Sequence, residues 1–229
     1  MRPEKSRKRV DEKDDHPSHN VERRRARGQA LVIETDPAPT IMLLSPARLD
    51  GERARVLMNP EADFALAKAL RSAEGAALGS VFSFVSGLYF RGKASYAREF
   101  SRSQNGLPSA LVMTAGGGLR PLDEPVTLDR LRGWARVSVH EDNPHFTAPL
   151  FRHASELLDA HGESARFVLL GSVASKKYVV PLLEVFGERL LFPRDFAGRG
   201  DMSRGSLLLR AVRDRRELDY APVGDILPP

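Results

Sequence analysis

Residues 40–48 read Thr-Ile-Met-Leu-Leu-Ser-Pro-Ala-Arg, a short and continuous apolar run that ends in a loop of small and basic residues. The same pattern recurs along the chain, and several of the runs are followed by a helical pattern. A run that is apolar at every position is typical of a strand buried on both faces, in a sheet that helices cover on both sides. The predicted strands are residues 40–44, 81–85, 110–113, 135–139, 167–170 and 190–192.

Three helices are predicted between these runs. Asn59-Pro60-Glu61 is typical of a helix start, because Asn caps the first turn, Pro suits the first helical position and an acid favours the helix dipole. A second helix is predicted to start just before Pro149 and to end at Gly162, and a third to run from near Pro181 to Gly187.

The end of the chain carries two more apolar runs. Residues 206–212 and 217–223 flank a polar stretch, which predicts a C-terminal hairpin, and a helix from Met202 onward is the alternative. Strands that alternate with helices favour a single α/β domain, with a largely parallel or mixed sheet covered by helices. We therefore predict an α/β domain over residues 39–229, preceded by a tail and linker over residues 1–38.

Most of the excess positive charge lies in the first 28 residues. They hold ten Lys or Arg residues against six acids, which is +4 of the net charge of +5. Because this segment has almost no apolar side chains to bury, we expect a disordered basic tail. The tail either contacts phosphates through its arginine clusters or is a solubilising arm, or an extension from an earlier start codon.

The composition excludes several classes of protein. The chain has no cysteine, so it has no disulfide framework, iron–sulfur cluster, thiolate nucleophile or cysteine-bearing zinc site. No apolar run approaches the roughly 18 residues that a membrane span needs. We therefore expect a soluble, cytoplasmic protein without a membrane partner, whose oligomeric state stays open.

The loops after the predicted strands combine serine, glycine and basic residues. In α/β sheets, ligands bind where the carboxyl ends of the strands open into loops. Glycine lets a ligand approach the backbone, and the planar fork of arginine suits phosphate. If these loops converge on one rim, that rim favours a phosphate-bearing or nucleobase-bearing ligand. The basic residues concerned are Arg48, Arg91, Lys93, Arg120, Lys176, Lys177, Arg199 and Arg204.

Three of these loops, taken in order, resemble the YaaA family, bacterial peroxide-stress proteins reported to bind DNA. Residues 45–48 are similar to the family's Ser-Pro-Ala-Lys, residues 117–123 to Gly-x-Leu-Arg-Pro-Leu-Asp, and residues 199–204 to Arg-Gly-x-Met-Ser-Arg. Residues 90–92 are similar to an aromatic–basic–glycine segment of the family. The resemblance implies a single α/β domain with a basic cleft for DNA or a nucleotide-like ligand, and a role in protection against oxidative stress.

Each candidate residue has an expected role. Either Tyr89 or Tyr96 would stack on a base, and Asp123 or Asp201 would act as a general base or contact a base edge. The candidates for binding phosphate are Ser45, Arg48, Arg91, Lys93, Gly117, Arg120, Lys176, Lys177, Arg199, Ser203 and Arg204.

Three functions stay open at this point. The first is a protein that binds DNA or a nucleotide through the strand-end loops. The second is an enzyme that acts on a nucleoside or a nucleobase-like small molecule. The third is an interaction module that binds through its basic tail.

Other chemistries lack their motifs. The glycines at 116–118 have neither the spacing nor the lysine of a P-loop, and no Gly-x-Gly-x-x-Gly follows the first strand. A Gly-x-Ser-x-Gly nucleophile elbow is missing as well. His153 and His161 are too far apart for the i, i+4 pair that chelates zinc on a helix. We expect neither a metal nor another cofactor.

Overall fold

A computed structural model describes residues 38–104 and 106–225 of the chain. This part of the protein is an α/β domain with a mixed six-stranded sheet covered by helices. The strands are β1 (Thr40–Leu44), β2 (Ala76–Ala77), β3 (Ala110–Thr114), β4 (Gly118–Pro121), β5 (Pro125–Val126), β6 (Arg166–Leu170), β7 (Leu190–Pro193) and β8 (Tyr220–Pro222). The helices are α1 (Glu52–Met58), α2 (Ala65–Arg71), α3 (Leu78–Ser86), α4 (Leu88–Phe100), α5 (Leu128–Ala135), α6 (Pro144–His161), α7 (Lys176–Phe186) and α8 (Asp201–Arg213).

The main sheet has the strand order β4-β3-β1-β6-β7-β8. Its four central strands are parallel, whereas β4 and β8 run antiparallel along the two edges. Strand β1 lies between β3 and β6, so the chain first adds a parallel strand on one side of β1 and later on the other. The carboxyl end of β1 is therefore the topological switch point of the sheet, where ligands bind in folds of this class.

Every side chain of β1 is buried, as a strand with helices over both faces requires. Around it, the ring of Phe167 on β6 stacks on that of Phe186 on α7, with centroids 3.9 Å apart. Helix α4 packs closely on α8, because Gly92 and Gly205 meet where the two helices cross. A Cβ added at Gly92 would lie 2.8 Å from the backbone oxygen of Gly205.

Four of the six predicted strands are confirmed as β1, β3, β6 and β7, and two predictions are wrong. Residues 81–85 belong to α3, whose buried residues Leu78, Val81, Phe82 and Val85 have the spacing of one helix face. Residues 135–139 leave the end of α5 and form a loop. A short apolar run fits a buried strand as well as the buried side of a helix or loop, so the run alone does not distinguish them.

The predicted helix starts need correction, whereas two of the ends are confirmed. Asn59 follows α1, and its Oδ1 accepts a hydrogen bond from the Glu61 N–H at 3.0 Å, which stabilises a turn. The next helix, α2, begins only at Ala65. Helices α6 and α7 begin at Pro144 and Lys176, so Pro149 and Pro181 lie inside them. Both helices stop before the predicted glycines, Gly162 and Gly187, which have positive φ angles.

The C-terminal hairpin is not formed, and the alternative of a helix is observed. Residues 206–212 lie in α8, where Gly205, Leu208 and Ala211 are buried at a spacing of three. The later run contributes β8, which pairs antiparallel with β7. An apolar run of this length fits either structure, and packing against α4 decides for the helix.

The predicted basic tail lies outside the described residues, apart from Ala38. Across residues 38–104 and 106–225, the helices are all too short or too polar to traverse a lipid bilayer.

Burial of His161 predicts a pH dependence of stability. Its ring is almost fully buried at the end of α6, and neither ring nitrogen has a hydrogen-bond partner in the described structure. Burial lowers the pKa of His161 below its usual value of 6.5. Below pH 6.5 this histidine is therefore protonated in the unfolded chain while it stays neutral in the folded chain. Because the unfolded chain binds the extra proton, the free energy of unfolding falls as the pH drops.

We expect His161→Leu to remove this contribution. Urea unfolding at pH 7.5 and at pH 5.5 measures it, and the difference in stability between variant and wild type should move in favour of the variant at the lower pH. Equal pH dependence of the two proteins would contradict the expectation.

Candidate functional site

A cavity of about 660 Å³ opens at the carboxyl ends of β1 and β6, at the switch point of the sheet. This volume lies in the range of small-molecule sites. We call it the switch-point cavity. Its walls come from the loop after β1, the start of α1, the junction of α3 and α4, the loop after β6, and the first turns of α7 and α8. The polar and charged residues that line it are Ser45, Arg48, Glu52, Arg53, Ser86, Tyr89, Lys93, Ser172, Ser175, Lys177, Tyr178 and Asp201.

A second cavity, of about 500 Å³, adjoins the first. The two share Pro46, Arg48, Lys177 and Tyr178 in their linings. Trp134 and residues 135–139 form part of the far wall of the second cavity. Arg48 and Lys177 are thus placed to contact a ligand in either space.

Lys93 is a buried lysine at the floor of the switch-point cavity. Only 2% of its surface is exposed, and its Nζ donates to the Ser45 backbone oxygen at 2.7 Å and to the Ser45 Oγ at 2.9 Å. The same nitrogen lies 4.6 Å from the ring centroid of Tyr89 and 4.9 Å from that of Phe90. Within the part of the chain that the structure describes, Lys93 forms no salt bridge with a carboxylate.

Burial without an ion pair changes the protonation of Lys93. Burial disfavours the ammonium form and lowers the pKa of Lys93 to about 7, although the more distant Asp201 acts in the opposite direction. Near neutral pH the amine is therefore present both with and without its proton. Perturbed groups of this kind in a cavity are typical of functional sites.

Ser45 is held directly above this amine. It follows β1, is 7% exposed, and its hydroxyl donates to the backbone oxygen of Leu170 on β6 at 3.4 Å. Gly171, the next residue after β6, faces it closely. A Cβ at Gly171 would lie 3.0 Å from the Ser45 Cβ and 3.2 Å from the Ser45 Oγ. A larger residue at 171 would therefore crowd the Ser45 side chain, whereas glycine leaves space for its hydroxyl beside the cavity.

Two tyrosines supply aromatic surface and hydroxyl groups. Tyr89 is 8% exposed, and its hydroxyl has no hydrogen-bond partner among the described residues. Tyr178 is half-buried, with its ring 6.3 Å from that of Phe146. Burial raises the pKa of each to about 12, so both hydroxyls keep their protons and can donate hydrogen bonds.

The rim of the cavity is basic and exposed. The Arg48 guanidinium binds both carboxylate oxygens of Asp50, at 3.1 and 2.8 Å, and Arg53 Nη1 donates to the Phe84 backbone oxygen at 3.3 Å. The side chain of Arg48 is 86% exposed. Because exposed ion pairs contribute little, an anionic ligand can replace Asp50 as the partner of Arg48.

The structure brings six of the candidate residues together at this cavity: Ser45, Arg48, Tyr89, Lys93, Lys177 and Asp201. Sequence reasoning missed others. Ser172 and Ser175 lie in the loop after β6, so the strand-end rule identified their loop without singling them out. Arg53 lies on α1, a helix that no pattern predicted, and nothing in the sequence marked it.

Other candidates lie elsewhere. Gly117 and Arg120 line a separate cavity of about 300 Å³, together with Arg152 and His153. Arg120 is on the antiparallel strand β4, opposite Val112, and pairs with Glu124 at 3.3 Å. Because β4 runs back from the switch-point end of the sheet, Arg120 shares none of these cavities with Arg48.

Of residues 199–204, only Asp201 lines the switch-point cavity. Arg204 donates to the Phe196 backbone oxygen from two guanidinium nitrogens at 3.2 Å and lies 3.7 Å from Asp201. Arg199 donates to the Asp195 backbone oxygen and, at 3.2 Å, to the Ser203 hydroxyl. Arg48, Arg120 and Arg204 therefore do not converge on one rim, as the strand-end loops were expected to do.

The four remaining candidates lie outside the cavity. Arg91 and Lys176 are exposed on α4 and at the start of α7. Asp123 pairs with Arg98 at 2.6 Å. Tyr96 is fully buried, with its hydroxyl 2.6 Å from that of Tyr220, so its ring is not open to a base.

Within the described ranges, no group of three or more His, Asp or Glu side chains is arranged to hold a metal ion. Comparison of the chain with family models, with curated proteins and with solved structures gave no match. The arrangement itself offers cations at the rim, and an amine and a hydroxyl at the floor.

Proposed function

We propose that the domain binds a nucleotide-like, phosphate-bearing ligand in the switch-point cavity, either as a free nucleotide or as part of DNA. One observation carries this proposal, namely the excess of positive charge in a cavity at the switch point of the sheet. Its lining has two acids, Glu52 and Asp201, against three cations, Arg48, Arg53 and Lys177, in addition to the amine of Lys93.

The residue types suit phosphate and a nucleobase. Arginine at the rim offers a planar pair of donors that matches phosphate oxygens, and Lys177 adds a point charge. The hydroxyls of Ser172 and Ser175 add neutral donors on the same side as Lys177. The ring of Tyr178 is a surface on which a base can stack. The resemblance of residues 45–48 to the YaaA family supports the same class of ligand.

The expected result is that nucleoside monophosphates bind, and that Arg48→Ala and Lys177→Ala each weaken binding about tenfold. Each variant loses one charge-assisted contact with phosphate, and tenfold corresponds to about 1.4 kcal/mol. Isothermal titration calorimetry measures the affinity, and a nucleoside without phosphate shows how much of it depends on the anion. Arg152→Ala is the matched control, since Arg152 lines the separate cavity beside Arg120.

A single-stranded oligonucleotide in the same titration distinguishes free nucleotide from DNA, and a chain without residues 1–38 tests the basic tail. Binding that survives loss of the tail and depends on Arg48 and Lys177 supports the proposal. Binding that disappears with the tail, or that Arg152→Ala weakens as much, would contradict it.

A further inference from the structure

The contact between Ser45 and Lys93 has the geometry of a nucleophile and its base. The distance of 2.9 Å from Nζ to Oγ lies within the reach over which a general base takes a proton. A third group orients the amine, because Nζ also donates to the Ser45 backbone oxygen at 2.7 Å. Lys93 is enclosed by the rings of Tyr89 and Phe90, which further restrict it.

The surroundings allow the amine to act as a base. Lys93 is buried without a carboxylate partner in the described structure, so a positive charge on its amine is compensated only in part, by the Ser45 oxygens and the more distant Asp201. Its pKa of about 7 means that much of the protein carries a neutral amine at neutral pH. A neutral amine has a lone pair that can accept the proton of the Ser45 hydroxyl. The ammonium group of an ordinary exposed lysine has no free lone pair and cannot accept it.

The cavity gives a substrate access to the serine. Ser45 lines the switch-point cavity at the end of β1, and Gly171 leaves room at its hydroxyl. Tyr89 and Tyr178 line the same space, and Tyr178 keeps a proton to donate where negative charge develops.

We propose that Ser45 is the nucleophile and Lys93 the general base of an acyl-transfer site in this cavity, acting on an acyl ester that carries a phosphate. The phosphate part of this substrate class rests on the function proposed above, at Arg48 and Lys177. The serine–lysine pair rests only on the contacts at the floor.

The chemical step balances within the site. A bond forms between Ser45 Oγ and the carbonyl carbon while Lys93 Nζ takes the hydroxyl proton. The bond from this carbon to the ester oxygen then breaks, and Lys93 returns the proton to the departing alcohol. A water molecule repeats the two steps on the acyl-serine and releases the carboxylic acid, so the sum is hydrolysis of the ester.

Phenylmethanesulfonyl fluoride tests the pair without any phosphate. With the full chain, a bond forms from Ser45 Oγ to sulfur, fluoride leaves, and Lys93 takes the proton. We expect a single addition, which peptide mapping by mass spectrometry places at Ser45 and not at the other cavity serines, Ser86, Ser172 and Ser175. Ser45→Ala should abolish it. Addition at another serine, or at none, would overturn the proposal.

The pH profile and Lys93→Met separate a catalytic pair from a structural contact. The rate of addition should rise with a midpoint near pH 7 as Lys93 loses its proton, and Lys93→Met should lower the rate at least about 100-fold. Lys68→Met, at an exposed lysine, is the matched control and should leave the rate unchanged. A rate that Lys93→Met does not change, with the variant folded by circular dichroism, would overturn the proposal, as would a wild-type profile without this midpoint.

The two proposals fail separately. The probe has no phosphate. If it reacts at Ser45 although no nucleotide binds, only the proposal of a phosphate-bearing ligand is contradicted. If nucleotides bind but the probe does not react at Ser45, only the proposal of acyl transfer is contradicted.

Discussion

Replacing Lys93 by methionine is expected to stabilise the protein at pH 7 by about 2 kcal/mol, although the residue is buried and hydrogen-bonded. The unfolded lysine has a pKa near 10.5, and burial lowers that of the folded protein to about 7. Between these values the unfolded chain holds a proton that the folded chain lacks, so the stability of the wild type falls as the pH decreases from 10.5 to 7. Methionine fills a similar volume without this penalty, and the loss of two hydrogen bonds to Ser45 offsets part of the gain.

Urea unfolding at pH 7 and at pH 10 measures this effect. The stabilisation should be larger at pH 7 than at pH 10, because the penalty of the folded lysine diminishes as the unfolded lysine also loses its proton. Lys68→Met provides the control at an exposed lysine. A Lys93→Met protein less stable than the wild type at pH 7 would show that the amine is a structural contact that strengthens the fold.

Substitution of Gly205 by alanine is expected to lower the free energy of unfolding by about 3 kcal/mol. The new Cβ would lie 2.9 Å from the Tyr89 Cα, and 3.1 Å from both the Leu88 oxygen and the Tyr89 nitrogen. These are backbone atoms of α4, so no side chain can rotate away and the two helices must separate. Since α4 carries Tyr89 and Lys93, the switch-point cavity should be distorted as well.

Thermal and urea unfolding of Gly205→Ala measure the loss, and Gly92→Ala, on the other side of the crossing, should behave alike. Gly133→Ala is the matched control, because Gly133 lies in α5 with nothing within 4 Å of its added Cβ. Alanine there should be neutral or stabilise slightly, through its better helix propensity. A Gly205→Ala protein as stable as Gly133→Ala would contradict the observed packing of α4 on α8.

The central strands of the fold were predictable, because burial on both faces leaves a direct mark in the sequence. Residues 40–44, 110–113 and 167–170 are apolar at almost every position, and each is a strand of the parallel core. Residues 81–85 show the limit of this rule. Their helical spacing becomes visible only when Leu78 is included, so a short apolar run is ambiguous by itself.

The position of the site was predictable in part, from the strand-end rule. The rule singled out Ser45 and Arg48 after β1 and the segment after β6 that leads to Lys177, and these residues line one cavity. The burial of Lys93 was not predictable, because it depends on which face of α4 packs on the sheet and on α8. The strand-end rule failed for Arg120, because the loop after β3 continues into β4, an edge strand that runs away from the switch point.

The packing of α4 on α8 gives a physical reason for two of the motifs. Gly92, in the segment 90–92, meets Gly205, which directly follows the segment 199–204. The sequence suggested phosphate contacts for both segments. In the structure, these glycines let two helices cross closely enough to place Lys93 and Asp201 beside one cavity.

The most direct test of the site is the titration of Lys93 itself, followed by NMR of the protein with ¹³C-labelled lysine. We predict that the ε-carbon signal of Lys93, assigned with Lys93→Met, titrates near pH 7. The same signal should shift when a nucleoside monophosphate is added, whereas that of the exposed Lys68 stays in place. If Lys93 instead titrates near pH 10.5, the usual pKa value for a lysine, and does not respond to the nucleotide, the switch-point cavity is not the site we propose.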